Sequence, residues 1–438
     1  DVSVVDMVSR IVAGAYDSTN GGFGSEPKFP NASIVRFVNH LYRTSGEEFY
    51  GSMLIKTLDS MSQGQVLDAA DGGFFRHCAE ADWTQPQHEK LLEDNLNLVR
   101  EFLDSSILLE RPQYRDTAKQ TISYLMDQLY DPAVPGFRGS QGAHSEYFSL
   151  SADRRTVEGR PDPDPSCYVS SNALAVTVLL DAAWKLGIMD LQEIALQVLE
   201  RLDSMAQSDS FSHVYSNDGP SDVPAFFSDY AWLLTALVQA HGKTSNEAYL
   251  TRAVAVAQLM VGNFFDQEGG GFYDITEYPE AVGHLAIREK SLADNTVAAE
   301  ALIRLHQATR NDDYRQIAEA TLSAFVESFR ESGEFAADYG LAVHMLENDM
   351  VEVTIEGNPE DLGCQELIAA AVRLPQPNLD IKTVSAAEGD TIARAHVCLD
   401  TVCLPPVDSP SALAEAVAGL TKQPENPFQD IFQVFPGN

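Results

Sequence analysis

Apolar residues recur at helical spacing over most of the chain, in segments of two kinds. One kind is apolar almost all round, at 32–42, 96–109, 173–186, 231–240, 296–307 and 340–346. The other carries an apolar stripe beside a charged face. Examples are Tyr114, Ala118, Ile122, Leu125 and Leu129; Ile194, Leu196, Val198, Leu199 and Leu202; and Tyr314, Ile317, Ala318, Leu322 and Phe325. A helix apolar on every side belongs inside a structure, and one with a charged stripe belongs in an outer layer. Each inner segment opens on short polar residues: Asn31, Asp94-Asn95, Ser171-Asn172, Asp229-Tyr230, Asp294-Asn295 and Asp338-Tyr339. Such residues cap the orphan amides of a helix start.

Small-residue turns followed by Phe punctuate the same stretch, at Gly21-Gly22-Phe23, Gly72-Gly73-Phe74, Pro135-Gly136-Phe137, Gly270-Gly271-Phe272 and Gly333-Glu334-Phe335, with a degenerate copy at Ser210-Phe211. They read as turn glycines followed by a core Phe. No phosphate loop or dinucleotide fingerprint is among them. Intervals of roughly 50 to 75 residues suit one helical hairpin with its loops. Six inner and outer pairs predict a mainly α fold, an (α/α)6 toroid over residues 1–347. Beyond it, strand-like alternation at 351–356, 379–384 and 393–398, with helices at 361–373 and 409–420, predicts a small α/β module over 348–423. Pro410 suits the first turn of the last helix. A Pro-rich tail spans 424–438.

Charge narrows the partners. Among 438 residues, 65 are acidic and 29 basic, a formal net charge of −36. Such a surface repels phosphate backbones and anionic membranes, so neither nucleic acid nor membrane is expected as a partner. No apolar run reaches membrane-spanning length. The opening at Asp1 has no signal-peptide character and reads as processed, truncated or cut from a longer chain. Five scattered cysteines (Cys78, Cys167, Cys364, Cys398, Cys403) form no disulfide framework and suit a reducing, cytoplasmic location. Cys398 and Cys403 are read as two reduced thiols in preference to a labile disulfide.

The segment Gly21-Gly22-Phe23-Gly24-Ser25-Glu26-Pro27-Lys28-Phe29-Pro30 resembles the thioredoxin-domain-containing family typified by spermatogenesis-associated protein 20. So do Gly72-Gly73-Phe74, Trp83, Pro86, Glu89-Lys90 and Asp94-Asn95, the stretch from Arg288 to Asn295, and Cys398, Cys403 and Pro405-Pro406-Val407. The resemblance runs along nearly the whole chain. It implies a six-hairpin toroid like those of sugar epimerases and glycosidases, preceded in the family by a thioredoxin-like domain expected to be missing here. Where the family carries His after its second Gly-Gly-Phe and before Phe-Glu-Lys, this chain has Phe75 and Gln87, with His77 and His88 out of register.

In a helical toroid the loops before inner helices gather at one mouth. Arg76, His77, Trp83, His88, Glu89, Lys90, Asp94 and Asn95 are therefore expected to share a cavity with Asp229, Tyr230, Arg288 and Asp294. Sugar chemistry needs one protonated and one ionised carboxyl. Glu89 and Asp94 are assigned those proton-transfer roles, with Arg76, His88 and Lys90 orienting oxygens and Trp83 and Tyr230 offering stacking faces. The blander reading makes Asp94 and Asp294 caps and Arg76 and Arg288 members of a structural ion-pair network. No cofactor is implied. No metal site is implied either, since His77, Cys78 and His88 lack paired spacing. Two functions remain in play: a carbohydrate-processing protein of epimerase, isomerase or hydrolase type, and a non-catalytic scaffold that partners a thioredoxin-like module. A redox role for Cys398 and Cys403 ranks below both. An enzyme requires two accessible, uncommitted carboxyls; a scaffold would have them salt-bridged and the mouth plugged.

Overall fold

Twelve long amphipathic or apolar segments leave the chain one economical solution, a ring whose apolar helices are wrapped by the others. The computed structural model describes residues 2–206, 211–277, 283, 287–387 and 392–420. In chain order its helices begin with α1 (Val4–Ala15), α2 (Ala32–Ser45), α3 (Glu48–Gln63), α4 (Leu92–Leu108) and α5 (Pro112–Tyr124). Two short helices follow, α6 (Ser145–Phe148) and α7 (Ala152–Glu158), then α8 (Val169–Leu186), α9 (Asp190–Ala206), α10 (Phe227–Thr244) and α11 (Glu247–Phe264). The series continues with α12 (Leu292–Thr309), α13 (Asp312–Ser323) and α14 (Ala337–Glu347).

Helices α2, α4, α8, α10, α12 and α14 touch in that order, and α14 touches α2, so the inner ring is closed. Helices α3, α5, α9, α11 and α13 pack outside the inner helix that precedes each, and α1 covers α14. The N-terminal helix thus completes the last pair. This is the six-hairpin toroid expected from the periodicity.

The repeated Gly-Gly-Phe turns lock hairpins to inner helices. In the second copy Leu67 and Phe74 form a β-bridge, with Gly72 and Gly73 at φ 79° and 76°. A Cβ on Gly73 would sit 2.5 Å from the Tyr124 ring, so only glycine fits. Asp68 accepts from the turn amide of Ala70, and the buried Lys90 ammonium donates to Asp68 and to the Gly72 carbonyl, both at 2.7 Å. Asn95 accepts from the Phe74 amide at 2.6 Å and donates to the carbonyls of Phe74 and Leu91.

Asn172 repeats this clamp on Phe137 and Asn295 on Phe272. Lys28 with Asp17, and Lys290 with Asp266, repeat the lysine bridge. Phe23, Phe74, Phe137 and Phe272 are buried as core residues. Phe335 departs from the pattern: its turn lies in a 3-10 segment and the ring is 63% exposed. Ser210 of the degenerate copy lies outside the described residues.

After α14 the chain forms β1 (Val351–Gly357), α15 (Leu362–Val372), β2 (Leu379–Ser385), β3 (Arg394–Leu399), β4 (Val402–Cys403) and α16 (Pro410–Leu420). The sheet order is β2-β1-β3-β4, with β1 and β2 parallel across the α15 crossover and the other pairs antiparallel. Cys398 and Cys403 stand directly opposite on β3 and β4, Cα atoms 4.1 Å apart, and are joined as a disulfide. This corrects the two reduced thiols expected: a tight antiparallel hairpin brings opposed side chains together. Cys78, Cys167 and Cys364 are buried free thiols. The tail at 424–438 lies outside the described residues.

The module docks on the C-terminal ends of inner helices, β2 against α10 and α15 against α4 and α8. Asn378 donates to the Met345 carbonyl, Gln365 to that of Trp184, and Lys243 to that of Ile381. Among the described residues no helix is long and apolar enough to cross a membrane.

Candidate functional site

The inner helices are not apolar all round, as their sequence suggested. Each turns a polar line inward: Glu93, Asn97, Arg100 and Asp104 on α4, Thr177, Asp181 and Lys185 on α8, and Asp294, Val297, Glu300 and Arg304 on α12. Steps of three and four residues keep each line on one helical face. The lines enclose a cavity of about 550 Å³. Seven cations and eight carboxylates line it, so its wall is nearly neutral inside a strongly acidic chain.

Its waist and floor are ion-paired. Arg36 grips Glu300 with both terminal nitrogens, at 3.0 and 2.7 Å, and reaches Asp338 at 2.9 Å. Burial opposes the charge on Glu300, yet Arg36 holds its carboxyl below the ordinary range. Arg100 bonds the buried Glu101 at 2.9 Å, and Asn39 donates to the same carboxylate. Lys185 bridges Asp104 and Asp181, and Arg304 meets Asp380 of the C-terminal module at 2.7 Å. The segment from Pro377 to Lys382 closes this end.

The mouth, at the inner-helix N-termini, differs in part: Asp338, in the first turn of α14, is held by Arg36, whereas two other carboxylates are not. Glu93 on α4 and Asp294 on α12 lie on opposite sides of the ring and line the same cavity. Among the described residues neither forms an ion pair. Glu93 accepts from the Ser171 hydroxyl at 2.6 Å. Burial, then the like charges of Glu93 and Asp229, push the Asp294 carboxyl up, against the pull of a Ser291 hydrogen bond. Trp232, half-buried, supplies an aromatic face to the lining. Beside the mouth, His213 donates from Nδ1 to the buried Asp229 at 2.8 Å, the donor assigned from the carboxylate's acceptor-only character.

Of the twelve residues expected from sequence, Asp294 lines the cavity and the others do not. Trp83 is no stacking face. It is 1% exposed, adopts φ 65°, and donates from its indole to the Asn20 carbonyl. Lys90 and Asn95 are fully buried in the turn lock, and burial draws the Lys90 ammonium down to about 8 against the pull of Asp68. Asp229 is fully buried and spends its oxygens on the amides of Phe226 and Ser170 and on His213. Tyr230 packs on Phe211 and on Phe264 of outer helix α11.

Glu89 pairs with Arg76 at 3.1 Å, and Arg288 pairs with Glu277 and covers the Tyr273 ring. His77 stacks near Phe29, and His88 lies against Phe75 and Phe148. Asp94 is half-buried behind the mouth, where burial and then Glu93 push its carboxyl up to about 6. Asp94, Asn95 and their counterparts sit inside first helical turns, since α4 starts at Leu92 and α12 at Leu292. Among the described residues no group of three or more His, Cys, Asp or Glu is placed to hold a metal. Glu93, Arg36 and Trp232 escaped the sequence reading, although their spacing on inner helices was visible.

No protein-family model matches the chain. It is similar to human spermatogenesis-associated protein 20, 21% identical over 91% of this chain and 67% of that protein. It is also similar to an uncharacterised Caenorhabditis elegans protein, 22% identical over 79% of this chain and 62% of that one. The chain therefore spans about three fifths to two thirds of the curated relatives it matches. Among solved structures it resembles a cellobiose 2-epimerase from Spirochaeta thermophila, with a TM-score of 0.60 and 16% identity over 74% of this chain and 84% of that one. A D-mannose isomerase gives 0.58 and 12%, over 73% and 84%. A Bacteroides thetaiotaomicron family 76 mannosidase gives 0.55 and 14%, over 78% and 98%. The fold is one that sugar epimerases, isomerases and glycoside hydrolases share.

Proposed function

We propose that the chain processes a carbohydrate in the mouth of the toroid, with Glu93 and Asp294 as the proton-transfer pair and Trp232 as a stacking face. One observation carries this reading: two carboxylates on opposite inner helices line one cavity, uncommitted to cations, and one is raised toward the protonated form. Epimerisation, isomerisation and glycoside hydrolysis all need a group that holds a proton beside one that can take it. Asp294 is the proton holder here and Glu93 the acceptor, with Ser171 fixing its orientation. The same physics replaces Glu89, which Arg76 occupies.

The known activities of similarly folded proteins support the substrate class and do not choose among the reactions. The test is a melting-shift panel of mono- and disaccharides, followed by NMR on each binder. Solvent deuterium entering at the carbon beside the carbonyl reports epimerase or isomerase chemistry, and a new reducing end reports hydrolysis. A flat panel removes the reading. A non-catalytic role as partner of a thioredoxin-like module is the second reading, favoured by the ion-paired waist and the plugged floor.

A further inference from the structure

Among the described residues, the floor of the cavity holds one cation without an ion-pair partner. Arg43 lines the cavity in the last turn of α2. Its one side-chain bond among those described is to His40 Nδ1, at 3.1 Å. A guanidinium only donates, so His40 Nδ1 accepts, and its Nε2 carries the proton shared with His344 Nδ1 at 2.9 Å. Burial, Arg43 and His344 together keep the His40 imidazole neutral. A neutral ring cannot balance a cation. Among the described residues no carboxylate lies within ion-pair reach of Arg43; Asp104 attracts it from beyond that reach, while Arg36 and Arg304 repel it.

A cation in a last helical turn is favoured by the carbonyl end of the helix, and that could be the whole explanation for Arg43. Lys185 argues otherwise. It occupies the last turn of α8 at the same end of the ring, yet two carboxylates, Asp104 and Asp181, hold it. Where this protein has only a helix end to serve, it still answers the cation. At Arg43 it leaves the guanidinium turned to open cavity.

We propose that the closed end of the cavity is an oxyanion subsite, in which Arg43 binds a carboxylate or phosphate carried by the ligand. A planar guanidinium with free N–H groups pairs with such oxygens in bidentate fashion. Its like-charged neighbours make an empty site costly and an occupied one favourable: burial and Arg36 with Arg304 draw Arg43 down to about 10 even with Asp104 nearby. The site also sets ligand length. His40, which holds the Arg43 head, lies seven residues below Ser33 at the mouth, about 10 Å of helix rise. That span suits one or two sugar rings with the anionic group leading. The inference rests on the carbohydrate reading for the rest of the ligand and adds acidity to the substrate class.

The test compares glucose, cellobiose, glucuronate, glucose 6-phosphate and inorganic phosphate by melting shift at fixed ionic strength, balanced with chloride. This control matters because any salt screens a chain of charge −36. Glucuronate or glucose 6-phosphate is expected to bind at least tenfold more tightly than glucose. Arg43→Gln should remove that preference, and Arg43→Lys should restore part of it. The wild-type panel stands without either variant, should one fail to fold. Equal binding of neutral and charged sugars overturns the subsite and leaves the carbohydrate reading in place. A charged-ligand preference that survives Arg43→Gln overturns the assignment to Arg43. A panel with no response at all removes both.

Discussion

The two ends of one cavity are built from the same six helices and treat charge in opposite ways. At the floor, Lys185, Lys243 and Arg304 each meet a carboxylate, and the C-terminal module seals the opening. At the mouth Arg36 holds Asp338, but among the described residues Glu93 and Asp294 line the cavity without an ion-pair partner. The helix N-termini there favour negative charge, which makes two free carboxylates tolerable without a counter-ion. A protein that wanted only a rigid ring would pair both ends alike. On the proposed reading, the difference separates the part of the cavity that holds the structure from the part that does chemistry, and among the described residues Arg43 is the floor's exception.

The strongest challenge to that division is to neutralise the mouth. Glu93→Gln or Asp294→Asn should lower turnover on a sugar identified by the panel by about 10²–10⁴-fold, the usual loss of an acid–base group. Stability should hold or rise, since a like charge is removed. Loss below about tenfold in both variants would mean the mouth carboxylates do not transfer protons. Arg36→Met should do the reverse at the waist, leaving Glu300 and Asp338 without their cation. Stripping one partner from a buried pair costs about 3–5 kcal/mol. Arg36 and Asp338 are 27% and 33% exposed to cavity water, so roughly 2–3 kcal/mol is expected here by urea unfolding.

Asp94 tests the boundary between the two regimes. Its carboxyl is raised to about 6 by burial and Glu93, so the folded state holds its proton more tightly than the unfolded chain. Folding stability is then intact below the ordinary carboxylate pKa of about 4 and falls as pH rises through about 6. Asp94→Asn removes the penalty. The variant should match wild type near pH 3 and exceed it by about 1–2 kcal/mol at pH 8, after allowance for partial exposure. Equal pH profiles would mean that Asp94 ionises without cost in the folded state.

The ring was legible because it rests on local signals: helical periodicity, and glycines at turns. The site was less so. Asn95 and Lys90 read as ligands because both stand beside a helix start, but their partners Phe74 and Asp68 lie more than twenty residues back, and no local pattern reveals that. Trp83 misled for a similar reason, since a Trp in a polar loop promises a stacking face and this one is folded into the core at positive φ. Glu93 is a different failure. Asn97, Arg100 and Asp104 recur at steps of three and four within the segment read as inner, and Glu93 continues their line one turn before it. A polar line on a buried helix needs something polar to face, which in a ring is its hollow. The charge-dense loop at 76–90 carries a stronger local signal than that line.

The smallest effect expected is at the joint between ring and module. Asp380 on β2 pairs with Arg304 on α12 at 2.7 Å, side chains 20% and 29% exposed. A pair so hydrated contributes about 0.5–1 kcal/mol, and the module is held independently by Asn378, Gln365 and Lys243. Asp380→Asn should therefore lower stability by no more than about 1 kcal/mol, measured by urea unfolding. Its second consequence is sharper. Releasing Arg304 places another unneutralised guanidinium near Arg43, so the melting shift from inorganic phosphate at constant ionic strength should grow. A floor built only for rigidity would lose stability and gain no anion response, and the contrast between the two ends would then lack its exception.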